Sequence, residues 1–454
     1  MIGVRDRIVK DIRKSINSYH SIPKISFNTM DTKRIERIIR LIHREVVPAI
    51  GCTEPVAVAL CVAKATEILG KRPEAIELRL SGNMIKNAMG VGIPGTGMIG
   101  LPIAVALGAL VGKSEYGLEV LRDVNAEALE AGKQYIAENR IKISHHQNPP
   151  SNLYIEVEMR SGDDRAKAII SGSHTNFIYL SRNEEVLLEQ TGESTESSEE
   201  EDIELTESIV YEFATTTPLE KIRFMLEAGI MNRDAARLGL REDYGHGLGK
   251  VIKEYGVRLF GDTPIRHILA MTSAACDARM GGAQVAVMSN SGSGNQGITC
   301  TLPVMCYAED INASEEQLIR ALTLSSLTSI YIKQSLGRLS ALCGCVVAST
   351  GASAGLVMLM GGGYEEVCAA IKNMVANLTG MICDGAKPSC AMKITSGVST
   401  AMMSAMLAMS GKCVSSQEGI ICDDIDRTVH NLTSIGREAM TETDQHVLQI
   451  MTNK

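Results

Sequence analysis

The sequence predicts an α+β protein: a predominantly helical larger domain joined to a smaller α+β domain with a short sheet. Three observations carry this. Stretches between Pro73 and Arg182 alternate apolar and polar residues, as half-buried strands do. Nearly everything after residue 208 repeats apolar residues at helical spacing. Gly-rich, charge-free loops break the helical segments at 289–298 and 343–355, the places where helices of a site would meet.

Residues 1–33 are charged and weakly patterned and read as an N-terminal arm or helix. In the helical segment 34–72, Asp31 can cap a first helix whose Ile35, Ile38, Ile39, Leu41 and Ile42 form one apolar stripe. Pro48 ends it, GCTEP follows, and PVAVALCVAKATEIL is a second helix. Cys52 therefore sits just before a helix N-terminus, where dipole and free N–H groups are expected to lower a thiol pKa. The smaller domain, 73–207, begins with the strand AIELRLSG. Next come a Gly-rich loop, a small-residue helix LPIAVALGALVG and a helix over 123–139. Two strands, NLYIEVEMR and RAKAIISGSHTNFIYLSR, are joined by SGDD, and the acidic run 191–207 reads as a solvated loop. Residues 208–454 form the helical domain.

A chain of 454 residues exceeds one ordinary core. Trp is absent and Phe numbers only 5, so small residues and Met must fill the interior and helices can approach closely. The formal charge of −8 argues against nonspecific binding to nucleic acid or an anionic membrane. The charge-free runs 88–112, 280–308 and 343–364 are long enough to span a bilayer. They are broken by Gly, Pro, Ser and Asn, so buried small-residue helices account for them better. So apolar a chain is a plausible homodimer. The first residues, MIGVRDRIVKDIRK, place charges where a signal peptide has its apolar core. That predicts a reducing, cytoplasmic setting for the 12 cysteines, with metal binding or catalysis for the clustered ones. Cys61, Cys306, Cys368, Cys413 and Cys422 read as small core residues.

Cys343, Cys345, Cys383 and Cys390 are the clustered cysteines. Their spacing fits neither short zinc knuckles nor the ferredoxin run, but Cys390 opens a predicted helix and Lys387 and Lys393 lie near it. Converging thiolates there would hold a metal or an iron–sulfur cluster, and three would leave one position open for a Lewis acid. The bland alternative is a set of buried core thiols. The second constellation is SNSGSGNQGITCTLPV: Ser291, Gly292, Ser293, Gly294, Asn295 and Gln296 form an uncharged nest suited to a substrate carboxylate. The alternative is a turn that caps a helix. GVGIPGTG, at 90–97, is a weaker candidate of the same kind. The histidines are poor handles: His174 falls within a predicted strand and His246 between glycines.

Together, GCTEPVAVAL (51–60), IKNAMGVGIPGTG (85–97), SNSGSGNQGI (289–298), CGCVVASTGASAG (343–355) and NMVANLTGMICDGAKPSCAMK (373–393) resemble the L-cysteine desulfidase family. That family is related to the α chain of iron–sulfur L-serine dehydratases. The resemblance implies an oxygen-sensitive [4Fe–4S] cluster on Cys343, Cys383 and Cys390 in a helical catalytic domain. Cys345 is an ambiguity in that ligand set. The resemblance makes Cys52 the candidate acid/base or a reversible fourth ligand. The dehydratase relatives use a C-terminal cysteine for such a role, where this sequence reads MTNK. The implied reaction is a carbon–sulfur lyase step, in which L-cysteine loses sulfide and then ammonia to give pyruvate. L-serine dehydration by the same route is the alternative. A non-catalytic iron–sulfur redox sensor and a structural protein with inert thiols are the readings from other classes.

Overall fold

The computed structural model describes residues 30–190, 203–337 and 340–453. The expected arm up to residue 29, and 191–202 of the acidic run, lie outside them.

Two hydrophobic cores organise the chain. The smaller is built on a mixed sheet of order β3-β2-β4-β5-β6-β7. Its strands are β2 (Ala75–Leu80), β3 (Ile141–His145), β4 (Tyr154–Ser161), β5 (Asp164–Ser171), β6 (Phe177–Arg182) and β7 (Glu185–Glu189). Only β2 and β3 run parallel. Ile76, Leu78 and Leu80 of β2 are buried while Glu77 and Arg79 face out, the period-two pattern of a one-sided sheet. RAKAIISGSHTNFIYLSR, predicted as one strand, is two. The chain turns at Gly172, whose φ of 80° favours glycine, and His174 falls in that turn. The sequence pattern did not predict β3, β7, or two short strands, β1 (Pro48–Ile50) and β8 (Ala286–Met288).

Helix α1 (Thr32–Glu45) starts at Asp31, whose carboxylate accepts from the Arg34 N–H at 3.0 Å, and buries its predicted stripe in the larger core. Helix α2 (Thr53–Leu69) belongs to the smaller core and lies on β4 and β5. The segment 34–72 thus contributes to both cores. Helices α3 (Gly82–Ala88), α4 (Leu101–Leu110) and α5 (Ala126–Ala137) complete the smaller unit. Gly108 of α4 approaches the Ala59 carbonyl so closely that a Cβ would come within 2.6 Å of it.

The larger core is helical: α6 (Glu207–Thr216), α7 (Met225–Arg241), α8 (Leu248–Tyr255), α9 (Pro264–Met280), α10 (Gly294–Asp310), α11 (Glu315–Leu336), α12 (Gly344–Leu359), α13 (Tyr364–Leu378), α14 (Cys390–Met409), α15 (Ile425–Ser434) and α16 (Thr441–Thr452). At its centre α12, GCVVASTGASAGLVML, packs on α10, α11, α13 and α14. A sequence this poor in bulk lets four neighbours close on it. A Cβ on Gly351 would stand 2.2 Å from the Ser325 carbonyl of α11, and one on Gly397 of α14 would stand 2.5 Å from the Cys345 sulfur.

GVGIPGTG, a candidate nest by sequence, is a close seam between the two units. Gly92 donates to the Met280 carbonyl at 3.0 Å and Gly95 to that of Gly282 at 3.2 Å, and a Cβ on Gly92 would meet the Gly281–Gly282 peptide at 2.6 Å. Among the described residues no helix is long and apolar enough to cross a membrane.

Gly351→Ala tests the central packing. Alanine gains about 1 kcal/mol of helix propensity, but the added methyl collides with backbone, and overpacking costs about 1–3 kcal/mol. The net effect expected is a lower thermal midpoint than the wild type in scanning calorimetry. An exposed helical control, Ser396→Ala, should leave it unchanged within error.

Candidate active site

Two short antiparallel pairings bring the chemistry together. In the first, β1 and β8 pair through Pro48↔Met288, Ala49↔Val287 and Ile50↔Ala286. The ladder is prolonged by the Ser289 N–H to the Val47 carbonyl at 2.8 Å and the Ser291 N–H to that of Glu45 at 2.9 Å. It sets the GCTEP turn beside the loop that opens α10. In the second, Leu342 bridges Ile382, with the Cys343 N–H donating to Met381 at 3.0 Å and the Cys383 N–H to Ala341 at 2.6 Å. Cys343 and Cys383 are thereby neighbours although 40 positions apart in sequence.

Around these pairings lies one cavity of about 120 Å³. Its lining includes Cys343, Cys345, Cys383 and Cys390, together with Cys52, Thr53 and Glu54 at the start of α2 and Asn87 and His174 from the smaller unit. Ser291, Gly292, Ser293, Asn295 and Gln296 complete the wall; Gly294 is the first residue of α10 behind them. The loop is held in shape by its own bonds. Asn290 and Ser293 exchange two backbone hydrogen bonds of 3.0 Å, Ser291 and Gly292 take left-handed φ of 49° and 79°, and Ser293 caps α10. A non-glycine residue at positive φ stores strain of the kind found at ligand clamps.

The cysteines form no disulfides, and those lining the cavity crowd one another. Burial, then the nearby Cys383, pushes Cys343 up to about 12; burial raises Cys390, and burial followed by Cys343 raises Cys345 well above the usual thiol value. Each anion would thus disfavour the next. Lys393 donates to the Ile382 carbonyl at 2.9 Å and pairs with Asp384, which also binds Lys387. Among the described residues, no group of three or more His, Cys, Asp or Glu is gathered to hold a single metal ion. An iron–sulfur cluster asks for something else: a separate sulfur for each ligated iron, spread around a cavity, and positive charge to let neighbouring thiols ionise together. Cys343, Cys383 and Cys390 fit that donor set. Cys345 is less available, since its thiol donates to the Lys393 carbonyl at 3.1 Å and lies against Gly397.

Cys52 departs from the sequence expectation. It is the N-cap of α2, as predicted, but its pKa is raised well above the usual value. Burial is the main cause and Glu54 the next, and together they outweigh the helix terminus. The Cys52 sulfur lies 2.9 Å from Glu54 Oε2, which also accepts from Thr53 Oγ1 at 3.1 Å, while Asn87 Nδ2 donates to Oε1 at 3.3 Å. Glu54 lies in GCTEP and Asn87 in IKNAMG, but the sequence pattern assigned neither a role. His174 and Arg279 were missed as well. Arg279 had a signal, one of two charges, with Asp277, in the otherwise uncharged stretch SAACDARMGG. His246 lies outside the lining, and Cys413 is exposed and Cys422 half-buried, so neither of these two cysteines is the core residue expected.

The Cys52–Glu54 contact predicts a reactivity order. In anaerobic alkylation followed by peptide mass mapping, Cys52 should label later with rising pH than exposed Cys413. Glu54→Gln removes the charge that opposes the thiolate and should move Cys52 labelling to lower pH. An unchanged profile would mean that burial alone sets it.

The family described as serine dehydratase alpha chain matches residues 115–449. A UPF0597 protein of Bacteroides fragilis is 61% identical over 420 residues, covering 92% of this chain and 98% of that one. One from Parabacteroides distasonis is 57% identical over 429 residues, 94% and 100% of the two chains. One from Oleidesulfovibrio alaskensis is 48% identical over 421 residues, 92% and 98%. With the clustered thiols, the polar loop and Arg279 all inside the matched length, the chain belongs to the serine dehydratase alpha chain family, a family of lyase-type enzymes, alongside these UPF0597 relatives.

Proposed function

We propose that this chain is an iron–sulfur-dependent lyase that eliminates sulfide from L-cysteine, the product then losing ammonia to give pyruvate. The observation that carries it is the meeting of Cys343, Cys383 and Cys390 with Cys52 and the 291–296 loop on one cavity. L-serine, losing water by the same steps, is the second reading; the family description supports it.

In this reading Cys343, Cys383 and Cys390 hold a [4Fe–4S] cluster. When bound, it supplies an exposed iron that polarises the departing atom as a Lewis acid. The chain's own residues move the protons. Cys52 rests as a thiol against Glu54. Passing its proton to the carboxylate leaves a buried thiolate, able to take the weakly acidic α-proton. The proton then on Glu54 is available to the leaving sulfur or oxygen. Elimination yields an enamine, which water converts to pyruvate and ammonia. Ser291, Ser293, Asn295 and Gln296 hold the amino acid's polar groups. Free thiols throughout the chain suit a reducing, cytoplasmic setting, which belongs to the same proposal.

Anaerobic purification followed by assay of pyruvate with sulfide release from L-cysteine, and of pyruvate from L-serine, tests the function. Cys383→Ser should lose iron and turnover together. Cys52→Ser should keep its iron and lose turnover by about 10²–10⁴-fold, the usual worth of a positioned acid/base. Full-rate turnover by Cys52→Ser would remove Cys52 from the mechanism.

A further inference from the structure

Arg279, on the last turn of α9, is only 3% exposed and lines the cavity. It has no acidic partner among the described residues. Asp277, two residues earlier, turns away and accepts from the Gly249 N–H at 2.9 Å through Oδ2. One guanidinium nitrogen donates to Asn295 Oδ1 at 3.0 Å, while the buried Nε has no partner. A Cβ on Gly294 would stand 2.3 Å from that Nε, so the glycine leaves the room in which the arginine lies. Beside it, Gln296 is fixed by its Nε2 bond to the Asn290 carbonyl at 3.5 Å, and its buried Oε1 is also without a partner.

A buried cation without a counter-ion is costly, and buried polar atoms in folded proteins are otherwise paired. An orphaned donor on a guanidinium and an orphaned amide acceptor, on one wall of one cavity, match the two ends of an α-amino acid zwitterion. We infer that Arg279 is the anchor of the substrate carboxylate, held in place by Asn295, with Gln296 Oε1 receiving the ammonium. Guanidinium suits this task because its planar fork meets a carboxylate with two parallel bonds. The assignment rests on the cavity being the amino-acid site proposed above. It shifts the carboxylate contact from the loop's backbone to a side chain outside the loop.

The test uses L-alanine, which has no leaving group, and L-alaninamide, which has no carboxylate, titrated calorimetrically into anaerobically purified protein. Wild type should prefer L-alanine. Arg279→Met should weaken L-alanine by about 30-fold or more and change L-alaninamide by less than about 3-fold, the loss of a charge-assisted pair. Arg279→Lys should fall between, with iron content and thermal midpoint equal to wild type showing that the fold is kept. In turnover, the KM for L-cysteine should rise far more than kcat falls. Wild-type binding of L-alanine with Arg279→Lys and Arg279→Met equally tight overturns the anchor. So does a loss of iron or fold in both variants, which would make Arg279 structural. Wild type that binds neither ligand overturns the anchor together with the amino-acid reading of the cavity.

Discussion

The structure depends on two backbone ladders of a few residues each. The pairing of 48–50 with 286–288 sets the GCTEP turn against the polar loop, and the bridge between Leu342 and Ile382 sets Cys343 beside Cys383. Neither ladder would persist alone, since short isolated strand pairs are marginal in water. They are kept by the helices that follow them. Helix α2 is fixed by the smaller core, α10 and α12 by the larger, and small residues let α12 sit within reach of four neighbours. The tight fit at Gly351, Gly397 and Gly108 has a second consequence. A core with no slack holds the starts of α2, α10, α12 and α14 in fixed relation, and four of the site's segments are those starts.

The two units bring different chemistry to the cavity. The smaller supplies Glu54, Asn87 and His174, and with Cys52, which heads α2 but packs in the larger core, they form a set able to hold and pass a proton. The larger supplies thiols and cations. The seam at Gly92 and Gly281–Gly282 joins them one residue beyond the helix that carries Arg279, so the proton-handling side and the charged side are registered by direct backbone contact.

Much of this was legible in the sequence, and for identifiable reasons. The α1 stripe and the alternation in β2 are periodic signals that local physics writes directly. The glycine-rich and cysteine-bearing stretches stood out because small polar residues in charge-free surroundings must find partners once buried. What was not legible was set by distant contact. The sequence places Cys52 at a helix N-terminus, which argues for an acidic thiol. Only the folded chain shows that burial and Glu54 reverse the sign. His174 read as a strand residue because the flanking sequence is strand-like; Gly172 makes the turn that carries it to the cavity. The 90–97 loop has the composition of a nest, but its glycines serve backbone approach.

The charges on the cavity wall are not equally paired. Of the cations on the lining, Lys393 pairs with Asp384 and Lys333 donates to the Gly337 carbonyl, whereas among the described residues Arg279 has only the neutral Asn295 as its partner. Burial first, and mutual repulsion second, raise the pKa values of Cys343 and Cys345. A bound cation cluster would let them ionise, and three thiolates on a cluster of lower positive charge leave a small net negative charge that the surrounding lysines offset. What then remains uncompensated is Arg279, on the wall opposite in role to the thiols. A carboxylate placed there would be held by the arginine, in the same cavity that Cys52 and the clustered thiols line. In that arrangement the carboxylate offsets Arg279 locally while the ammonium of the same zwitterion rests on an uncharged acceptor, so binding relieves the buried arginine without changing the net charge of the site.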